Sequence, residues 1–582
     1  MGGAPDESAG AQAANAGERR RCGRGSAPDG RRRSRGLERV GTRPPSNAQS
    51  VGVVGAGPGG LAVACLLAAG GARVTVYEAQ PTIGGRTGRV TLPARGGAFR
   101  FDRGPTFFMM PYVLEEIFAS CGRRLTDYAR CTRLDPMYRL LLGRPGERPL
   151  SLDATQDIAE MSRRIGAIDP EDGRALPRFM DDNRRKLRLM TPVLRSPIRS
   201  VLDLLNAESL KAATVINPHQ SLYDHLRRYF RSPLVRLALS FQSKYLGMSP
   251  FECPSLFSIL PFIEYEYGVW HPAGGCHALM AALAEVAGEL GVEIVASTPV
   301  ERLVFQGRRA VGVETSGARA GRFEHGQVVI NADAPWAMKH LIPQSLRAGE
   351  TDARIDARRY SCSTAMLYLG LDGSVDLPHH TIYTSADYRG NIDDISRRGR
   401  LSADPSMYVC NPGVTDPSMA PEGRTALYVL LPTPNCKAGI DWARERAVVR
   451  ARAFAQLERV FGVEDLERRV LAEGMVTPDD WRASRINHGA VFSLAHTLGQ
   501  MLHKRPRHRL PGVDGVWLVG GGTHPGSGLP VIFLSAQITA RLLCAEAGLR
   551  DAGAGRKDMS RSWPVGPGGR SQPAPVGALV AT

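Results

Sequence analysis

The chain has 582 residues, of which 43% are hydrophobic and 23% charged, as in ordinary globular proteins, which excludes a fibrous or low-complexity protein. This length exceeds what one hydrophobic core usually supports, so two domains are expected. The net charge of +17 is compatible with nucleic acid, anionic lipid or an acidic ligand, and composition does not choose among them.

Both ends of the chain differ in composition from its middle. Residues 1–47 are rich in Gly, Ala, Ser and Arg and residues 551–582 are similar, so neither segment can bury enough apolar surface to fold. We predict a disordered basic extension and a disordered tail. The N-terminal segment lacks the apolar region of a secretory signal. The ten cysteines include no C-x-x-C pair, which favours buried thiols in a reducing cytosol and predicts no metal site.

The first strong pattern lies in residues 51–72, which carry no charge and are long enough to cross a membrane. Their order argues otherwise. Val51–Val54 favours a strand, six residues rich in glycine follow, Leu61–Ala69 favours a helix, and Arg73–Tyr77 favours a second strand that ends at Glu78. Strand, glycine turn, helix, strand and acid form the dinucleotide-binding fingerprint G-x-G-x-x-G.

Each residue of the fingerprint has a physical role. Gly55 permits the tight turn, Gly57 lets the backbone approach a pyrophosphate, and Gly60 permits close packing of helix and strand. The positive end of the helix dipole then faces the phosphates. Glu78 is placed to accept hydrogen bonds from a ribose. We therefore expect this stretch to bind a ligand.

Two further glycine-rich segments extend the pattern. A glycine pair and arginine, Gly84–Arg86, follows the second strand, and "FDRGPT" ends at Thr106. Near the other end, 516–519 favours a strand, 520–528 a glycine-rich loop and 532–543 a helix. A segment at 288–334 has a βαβ-like pattern that would add to the same sheet.

These motifs resemble those of the bacterial-type phytoene desaturases, FAD-dependent enzymes of carotenoid synthesis. The resemblance spans roughly residues 50–546, and its most specific parts are "YGVWHPAGG" and "LVGGGTHPGSGLP". It implies FAD as cofactor and hydride transfer from a hydrocarbon to the flavin. C40 phytoene is the expected substrate, and C30 diapophytoene is the next alternative.

The resemblance also implies a set of cofactor-binding residues: Gly55, Ala56, Gly57, Pro58, Gly59, Gly60, Glu78, Ala79, Gly85, Arg86, Gly104, Pro105, Thr106, Val300, Gly521, Pro530, Val531 and Ile532. No catalytic base is assigned. His524 would lie near the flavin, but a loop histidine held by hydrogen bonds is an equal interpretation. His379 and His380 match no metal-ligand spacing.

The fold class implied is α/β, with a discontinuous Rossmann-like FAD domain and an inserted α+β domain for substrate and membrane association. The FAD domain is expected over 48–110, 260–335 and 500–550, and the inserted domain over 111–259 and 336–499. A hydrocarbon substrate requires a long apolar tunnel selected by shape, for which the apolar segment 256–270 is a candidate, although core packing would explain it equally.

The basic segment 178–205 mixes seven Lys or Arg with apolar residues, and Leu187, Met190 and Leu194 recur at helical spacing. Such helices can lie in the headgroup plane of anionic membranes, and a solvated helix covering the domain is the alternative. We expect a cytoplasmic protein bound peripherally to the inner face of the cell membrane, with a quinone or oxygen as electron acceptor. Nucleic acid is not expected, because the basic residues lack interleaved aromatics.

Two other classes remain open. One is another flavoenzyme of this fold, such as a carotenoid oxygenase, isomerase or saturase, or an amine oxidase. The other is a non-enzyme, because proteins that escort prenylated GTPases share the architecture and the glycine fingerprint without holding flavin. The glycine loop at 520–528 and Arg86 argue against the second class.

Overall fold

The computed structural model describes residues 49–555. Its strands are β1 (Ser50–Val54), β2 (Arg73–Tyr77), β3 (Arg89–Ala94), β4 (Gly97–Asp102), β5 (Cys131–Arg133), β6 (Tyr138–Arg144), β7 (Glu147–Ala154), β8 (Trp270–Pro272), β9 (Glu293–Val295), β10 (Val300–Gln306), β11 (Arg309–Thr315), β12 (Gly321–Glu324), β13 (Gln327–Ile330), β14 (Ser363–Asp372), β15 (His380–Thr384), β16 (Met407–Cys410), β17 (Arg424–Thr433), β18 (Val470–Val476) and β19 (Val516–Leu518).

The α-helices of the same residues are α1 (Pro58–Ala69), α2 (Pro111–Ser120), α3 (Ile158–Gly166), α4 (Pro170–Arg195), α5 (Ala207–Ala213), α6 (Leu222–Leu226), α7 (Pro233–Ala238), α8 (Ile259–Tyr267), α9 (His277–Glu289), α10 (Ala334–Leu341), α11 (Asp352–Ala357), α12 (Tyr388–Asp393), α13 (Trp442–Arg459), α14 (Leu466–Arg469), α15 (Pro478–Ala483) and α16 (Leu529–Ala547). The predicted extension over 1–47 and nearly all of the predicted tail lie outside the described residues.

The first sheet is parallel and has the strand order β19-β13-β1-β2-β9. Its side chains alternate between two cores, as the period of two in a strand requires. Val51 and Val53 face one core with α1, α9 and α16, whereas Val54 faces another with β10, β11 and α10. Helices therefore cover one face, and a small sheet with a helix covers the other.

Between the end of α9 and the start of α10, residues 290–333 contain no α-helix. They form β9, then an antiparallel sheet of β10, β11 and β12, and then β13 of the parallel sheet. The βαβ-like prediction is therefore wrong in its connection: α9 precedes β9, and an antiparallel sheet replaces the crossover helix between β9 and β13.

The second large sheet has seven strands in the order β18-β14-β17-β16-β15-β6-β7, antiparallel except for the pair β15 and β6. One face packs against α13 through Leu367 and Leu427. The other face carries Met366 and Tyr428 and packs against the hairpin β3–β4. The combination of a parallel sheet with helices and a second, mixed sheet confirms the predicted α/β class with an α+β part, while the two domain boundaries stay a prediction.

Among the described residues, α16 is long and apolar enough to cross a membrane, but 56% of its apolar stretch is buried inside the protein. It packs against α1 and α2. The charge-free stretch at 51–72 forms β1 and α1, whose residues Leu61–Leu67 are all buried. Both apolar stretches thus belong to the core beneath the parallel sheet.

Candidate active site

A cavity of about 2540 Å³, counting the space at its mouth, lies between the glycine loops of the parallel sheet and one face of the seven-stranded sheet. Its lining combines the glycine loops of the parallel sheet with apolar residues of the seven-stranded sheet, so one continuous space joins these two parts of the fold.

Most of the predicted cofactor residues line this cavity, although they come from five separate segments of the chain. They are Gly55, Gly57, Pro58, Glu78, Ala79, Gly85, Arg86, Gly104, Pro105, Thr106, Val300, Gly521, Pro530 and Ile532. Ala56, Gly59, Gly60 and Val531 are not among the lining residues. The assignment of all eighteen residues to the cofactor stays a prediction.

Gly60 does not line the cavity, but it permits the tight turn between β1 and α1 beside it. A Cβ atom at this position would overlap the carbonyl oxygen of Gly55 and lie 2.8 Å from Nδ2 of Asn331. Gly55 itself has a φ of +96°, in the left-handed region that favours glycine. The first turn of α1 can therefore close onto the end of β1 only without a side chain at residue 60.

The carboxylate of Glu78 is buried and positioned by the backbone. It accepts hydrogen bonds from the amide N–H of Ala56 at 2.7 Å and of Gln80 at 2.9 Å. Burial raises the pKa of Glu78, and the two amide hydrogen bonds oppose that shift. The remaining lone pairs of the carboxylate can accept hydrogen bonds from the hydroxyls of a ribose.

The N-terminus of α1 faces the same cavity through Gly57 and Pro58. Gly57 is its N-cap and provides no side-chain hydrogen bond, and the first turn contains no acidic residue. The free N–H groups and the helix dipole suit a negatively charged ligand. The residues present therefore fit a pyrophosphate-bearing cofactor.

Asn331 was missed by sequence reasoning, although it lies in the "VVINADAP" segment. Its Nδ2 donates to the carbonyl of Gly55 at 3.1 Å. Its Nδ2 also lies 3.0 Å from the position of a Cβ atom on Gly57, and its Oδ1 lies 3.2 Å from that of a Cβ atom on Gly520. One amide thus joins the N-terminal glycine loop to the C-terminal one, and the only sequence signal was its place directly after β13.

Arg86 lines the cavity and donates to the carbonyl of Val491 at 2.7 Å. Burial lowers its pKa, and the nearby carboxylate of Asp333 opposes that shift. Asp333 is itself held by the amides of Trp336 and Asn487. Arg86 is therefore a fixed positive charge in the wall, available to an anionic group of the cofactor.

The "FDRGPT" and "PAGG" motifs meet through one carboxylate. Asp102, at the end of β4, accepts from the amides of Cys276 and His277 at 3.0 and 3.1 Å, where α9 begins. Burial raises the pKa of Asp102 to about 7. This contact holds the loop of Gly104, Pro105 and Thr106 in the cavity wall.

The seven-stranded sheet supplies the other end of the cavity, which we call the chamber. Its walls are apolar and aromatic and include Met366, Ile382, Tyr408, Tyr428 and Leu430. The hydroxyl of Tyr408 lies 2.6 Å from the hydroxyl of Thr106 and 2.8 Å from Nδ1 of His380. The chamber thus begins where the predicted cofactor loop ends.

The histidines singled out in the sequence are buried and are not among the lining residues. Nε2 of His524 lies 3.0 Å from the carbonyl oxygen of Val193, which favours the interpretation as a loop histidine held by hydrogen bonds. His379 and His380 lie beside Cys410, with one ligand-type atom from each within 4.8 Å of the others. Burial lowers the pKa of His379 to about 3 and that of His380 well below its usual value.

Residues 256–270 do not line the cavity. Phe257, Phe262 and Tyr265 are buried in the largest core instead. The expectation that this segment forms the substrate tunnel is therefore wrong. The apolar walls come from strands of the seven-stranded sheet, whose alternate residues face the chamber.

The pattern of the family described as flavin containing amine oxidoreductase matches residues 58–544. The chain belongs to this family. It is an FAD-dependent oxidoreductase, so the alternative of a flavin-free escort protein is not retained. FAD supplies an acceptor for hydride, and the glycine loops, Glu78 and Arg86 are the groups that would hold it.

Similar proteins of known activity indicate which kind of FAD-dependent oxidoreductase this chain resembles. The chain is 39% identical over 499 residues to a 4,4'-diapophytoene desaturase (4,4'-diapolycopene-forming) of Methylomonas sp. The aligned region covers 86% of this chain and 96% of the relative. The chain is 40% identical over 501 residues to an all-trans-zeta-carotene desaturase of Myxococcus xanthus, covering 85% and 93%. A zeta-carotene-forming phytoene desaturase of the same organism is 35% identical over 496 residues, covering 84% and 93%. The predicted resemblance to carotenoid desaturases is confirmed.

Solved structures agree on the fold alone. An oxidoreductase from Methanosarcina mazei matches with a TM-score of 0.56 at 17% identity, covering 84% of this chain and 98% of that one. A putrescine oxidase variant matches with a TM-score of 0.53 at 14% identity, covering 86% and 99%. Both support the combination of a parallel sheet and a second sheet seen here.

Proposed function

We propose that this enzyme desaturates a linear carotenoid precursor, with C40 phytoene as substrate and C30 diapophytoene as the alternative. The observation that carries the proposal is the continuity of the chamber with the glycine-lined end of the cavity. A molecule lying against Met366, Ile382 and Leu430 would meet apolar walls, and its inner end would reach the loop of Thr106. The named activities of the relatives support the same substrate class.

The walls of the chamber explain how a hydrocarbon without polar groups could be held. Apolar surface removed from water stabilises binding by roughly 25 cal/mol per Å². Shape, rather than hydrogen bonding, then selects the substrate. The chain's contribution is to hold one C–H bond beside the cofactor and to exclude water from the chamber.

Expression in bacteria that accumulate phytoene tests the proposal, with pigments separated by chromatography. We expect coloured products such as neurosporene or lycopene. A parallel strain that accumulates diapophytoene decides the chain length. The variant Leu430→Trp fills the chamber and should retain FAD while losing product. Colourless cells in both strains, with yellow FAD-bound protein present, would contradict the proposal.

We further propose that the enzyme binds the surface of an anionic membrane, where its substrate dissolves and a quinone is available. The support is a group of exposed apolar side chains that follows α4. Val201, Leu202, Leu205 and Leu210 are 55%, 71%, 68% and 60% exposed. Arg199 and Lys211, both exposed, lie beside them in the chain. We call residues 199–211 the apolar patch.

The apolar patch lies outside the helical stripe that the sequence predicted as the membrane contact. Leu187 and Met190 on α4 are buried, and Leu194 is half-buried. Met190 and Val193 pack against Ile198 and Leu256. The predicted stripe on α4 is therefore wrong as a membrane contact, because the protein core already covers it.

A further inference from the structure

Lys244 lies in the chamber wall, on the short 3-10 turn Phe241–Leu246. Its Nζ is 4.8 Å from the centre of the Tyr388 ring. Among residues 49–555, no carboxylate oxygen lies within 4.0 Å of this nitrogen. A lysine without a counter-ion in an apolar chamber is unusual, because burying a charged group costs free energy unless the charge is paired.

The surroundings of Lys244 favour its uncharged form. Burial lowers the pKa of Lys244 to about 7. The groups that face it are Cys362 and the phenol of Tyr388, and the pKa of each is raised by burial, so both are neutral at pH 7. Lys244 is therefore in part a free amine at neutral pH.

Other titratable groups in the cavity wall or directly behind it are poorly suited to accept a proton. Glu78 is bound to two backbone amides, and Asp333 is held between Arg86 and two amides. Tyr408 is hydrogen-bonded to Thr106 and His380. His380 resists protonation because it is fully buried beside His379. A base works best when its pKa is near the working pH, and Lys244 meets that condition.

We propose that Nζ of Lys244 is the base that accepts the proton lost by the substrate as its double bond forms. The assignment rests on the proposed function. Bound FAD would supply the acceptor for a hydride, that is, for one C–H electron pair together with its hydrogen. The adjacent C–H bond then breaks, its electron pair becomes the new π bond, and its proton is taken by the amine. The resulting ammonium returns its proton to water at the mouth of the cavity.

The main experiment measures anaerobic reduction of the flavin by the polyene in a single turnover, from pH 6 to pH 9. In the wild type the rate should rise through about pH 7 and level off above it, since the neutral amine is the active form. Lys244→Met and Lys244→Arg should both lose about 100-fold or more and lose the pH dependence, with FAD content unchanged. Arginine keeps a positive charge but cannot serve as a base.

A second measurement does not need turnover. Because the pKa of Lys244 is lower in the folded than in the unfolded chain, stability is lost as pH falls toward 7. The melting temperature of Lys244→Met should therefore exceed that of the wild type by a margin that grows from pH 10 to pH 7 and is constant below. Lys504→Met, at an exposed site, should show no such trend.

The outcomes separate the two proposals. A margin in melting temperature that is the same at every pH, or a rate that keeps its rise near pH 7 in Lys244→Met, overturns the assignment of the base. Wild-type enzyme whose flavin stays oxidised with every polyene contradicts the proposed function itself, and the assignment falls with it. Loss of rate in Lys244→Met with a normal substrate-induced spectral shift supports the base.

Discussion

At Gly60 the constraint is steric and local. The carbonyl of Gly55 occupies the space of a Cβ, so the turn between β1 and α1 closes only on glycine. The same turn places Gly57 and Pro58, at the start of α1, in the cavity wall. Glycine here thus determines both the turn and the anion-binding end of the helix.

Gly60→Ala should prevent the turn from closing. We expect loss of bound FAD and a destabilisation of about 1–3 kcal/mol, the usual cost of overpacking. The flavin absorbance of the purified protein and its denaturant midpoint measure both effects. Gly288→Ala on α9 is the control, because nothing lies within 4 Å of its Cβ position. A Gly60→Ala protein with full FAD content would show that the loop can relax.

At the scale of elements, α4 packs into the core, whereas the residues after it expose apolar side chains. The N-cap of the helix is Asp169, whose side chain accepts hydrogen bonds from the amides of Glu171 and Asp172. Its apolar side packs inward, while the apolar patch that follows stays exposed. Exposed apolar groups of this size, on a chain with a net charge of +17, suit the headgroup region of an anionic bilayer.

Liposome flotation tests the apolar patch. The wild type should float with vesicles containing anionic lipid and less with neutral vesicles, and high salt should weaken the association. The double variant Leu202→Asp, Leu205→Asp should stay in the soluble fraction, whereas Val448→Asp, at an exposed position of α13, should float normally. Equal flotation of both variants would exclude the patch as the contact.

At the scale of the whole molecule, buried titratable groups connect folding to pH. Glu264 is fully buried, accepts from Tyr138 at 2.8 Å and from Gln242 at 3.0 Å, and has its pKa raised to about 7 by burial. Asp102 behaves in the same way. The folded protein therefore holds protons between about pH 4 and pH 7 that the unfolded chain has released, and its stability falls as pH rises through this range.

Glu264→Gln should remove part of that dependence. The amide can still accept from Tyr138 but carries no titratable proton. Relative to the wild type, the free energy of unfolding of the variant should rise from pH 4 to pH 7 and then stay level. Denaturant unfolding at several pH values measures this. Glu285→Gln, exposed on α9, serves as the control, and a pH-independent difference for Glu264→Gln would contradict the role of burial.

The sequence by itself determined the glycine loops, the parallel strands and the cofactor class. These features depend on residues close together in the chain: Gly55, Gly57 and Gly60 lie within six positions, and Glu78 ends the next strand. Local turn chemistry and strand–helix periodicity are enough to predict them. The resemblance added the distant glycine loop, because its motif is also contiguous.

Only the tertiary structure decided which residues form the chamber and which apolar surface stays exposed. Lys244, Tyr408 and Asn331 line one cavity although they come from three distant segments, and no local pattern distinguishes them from core residues. Residues 256–270 and the apolar side of α4 had the composition expected of a substrate wall and a membrane contact, yet both are buried. An apolar side chain can bury its surface against protein, ligand or lipid with similar gain, so the choice depends on what the fold places beside it.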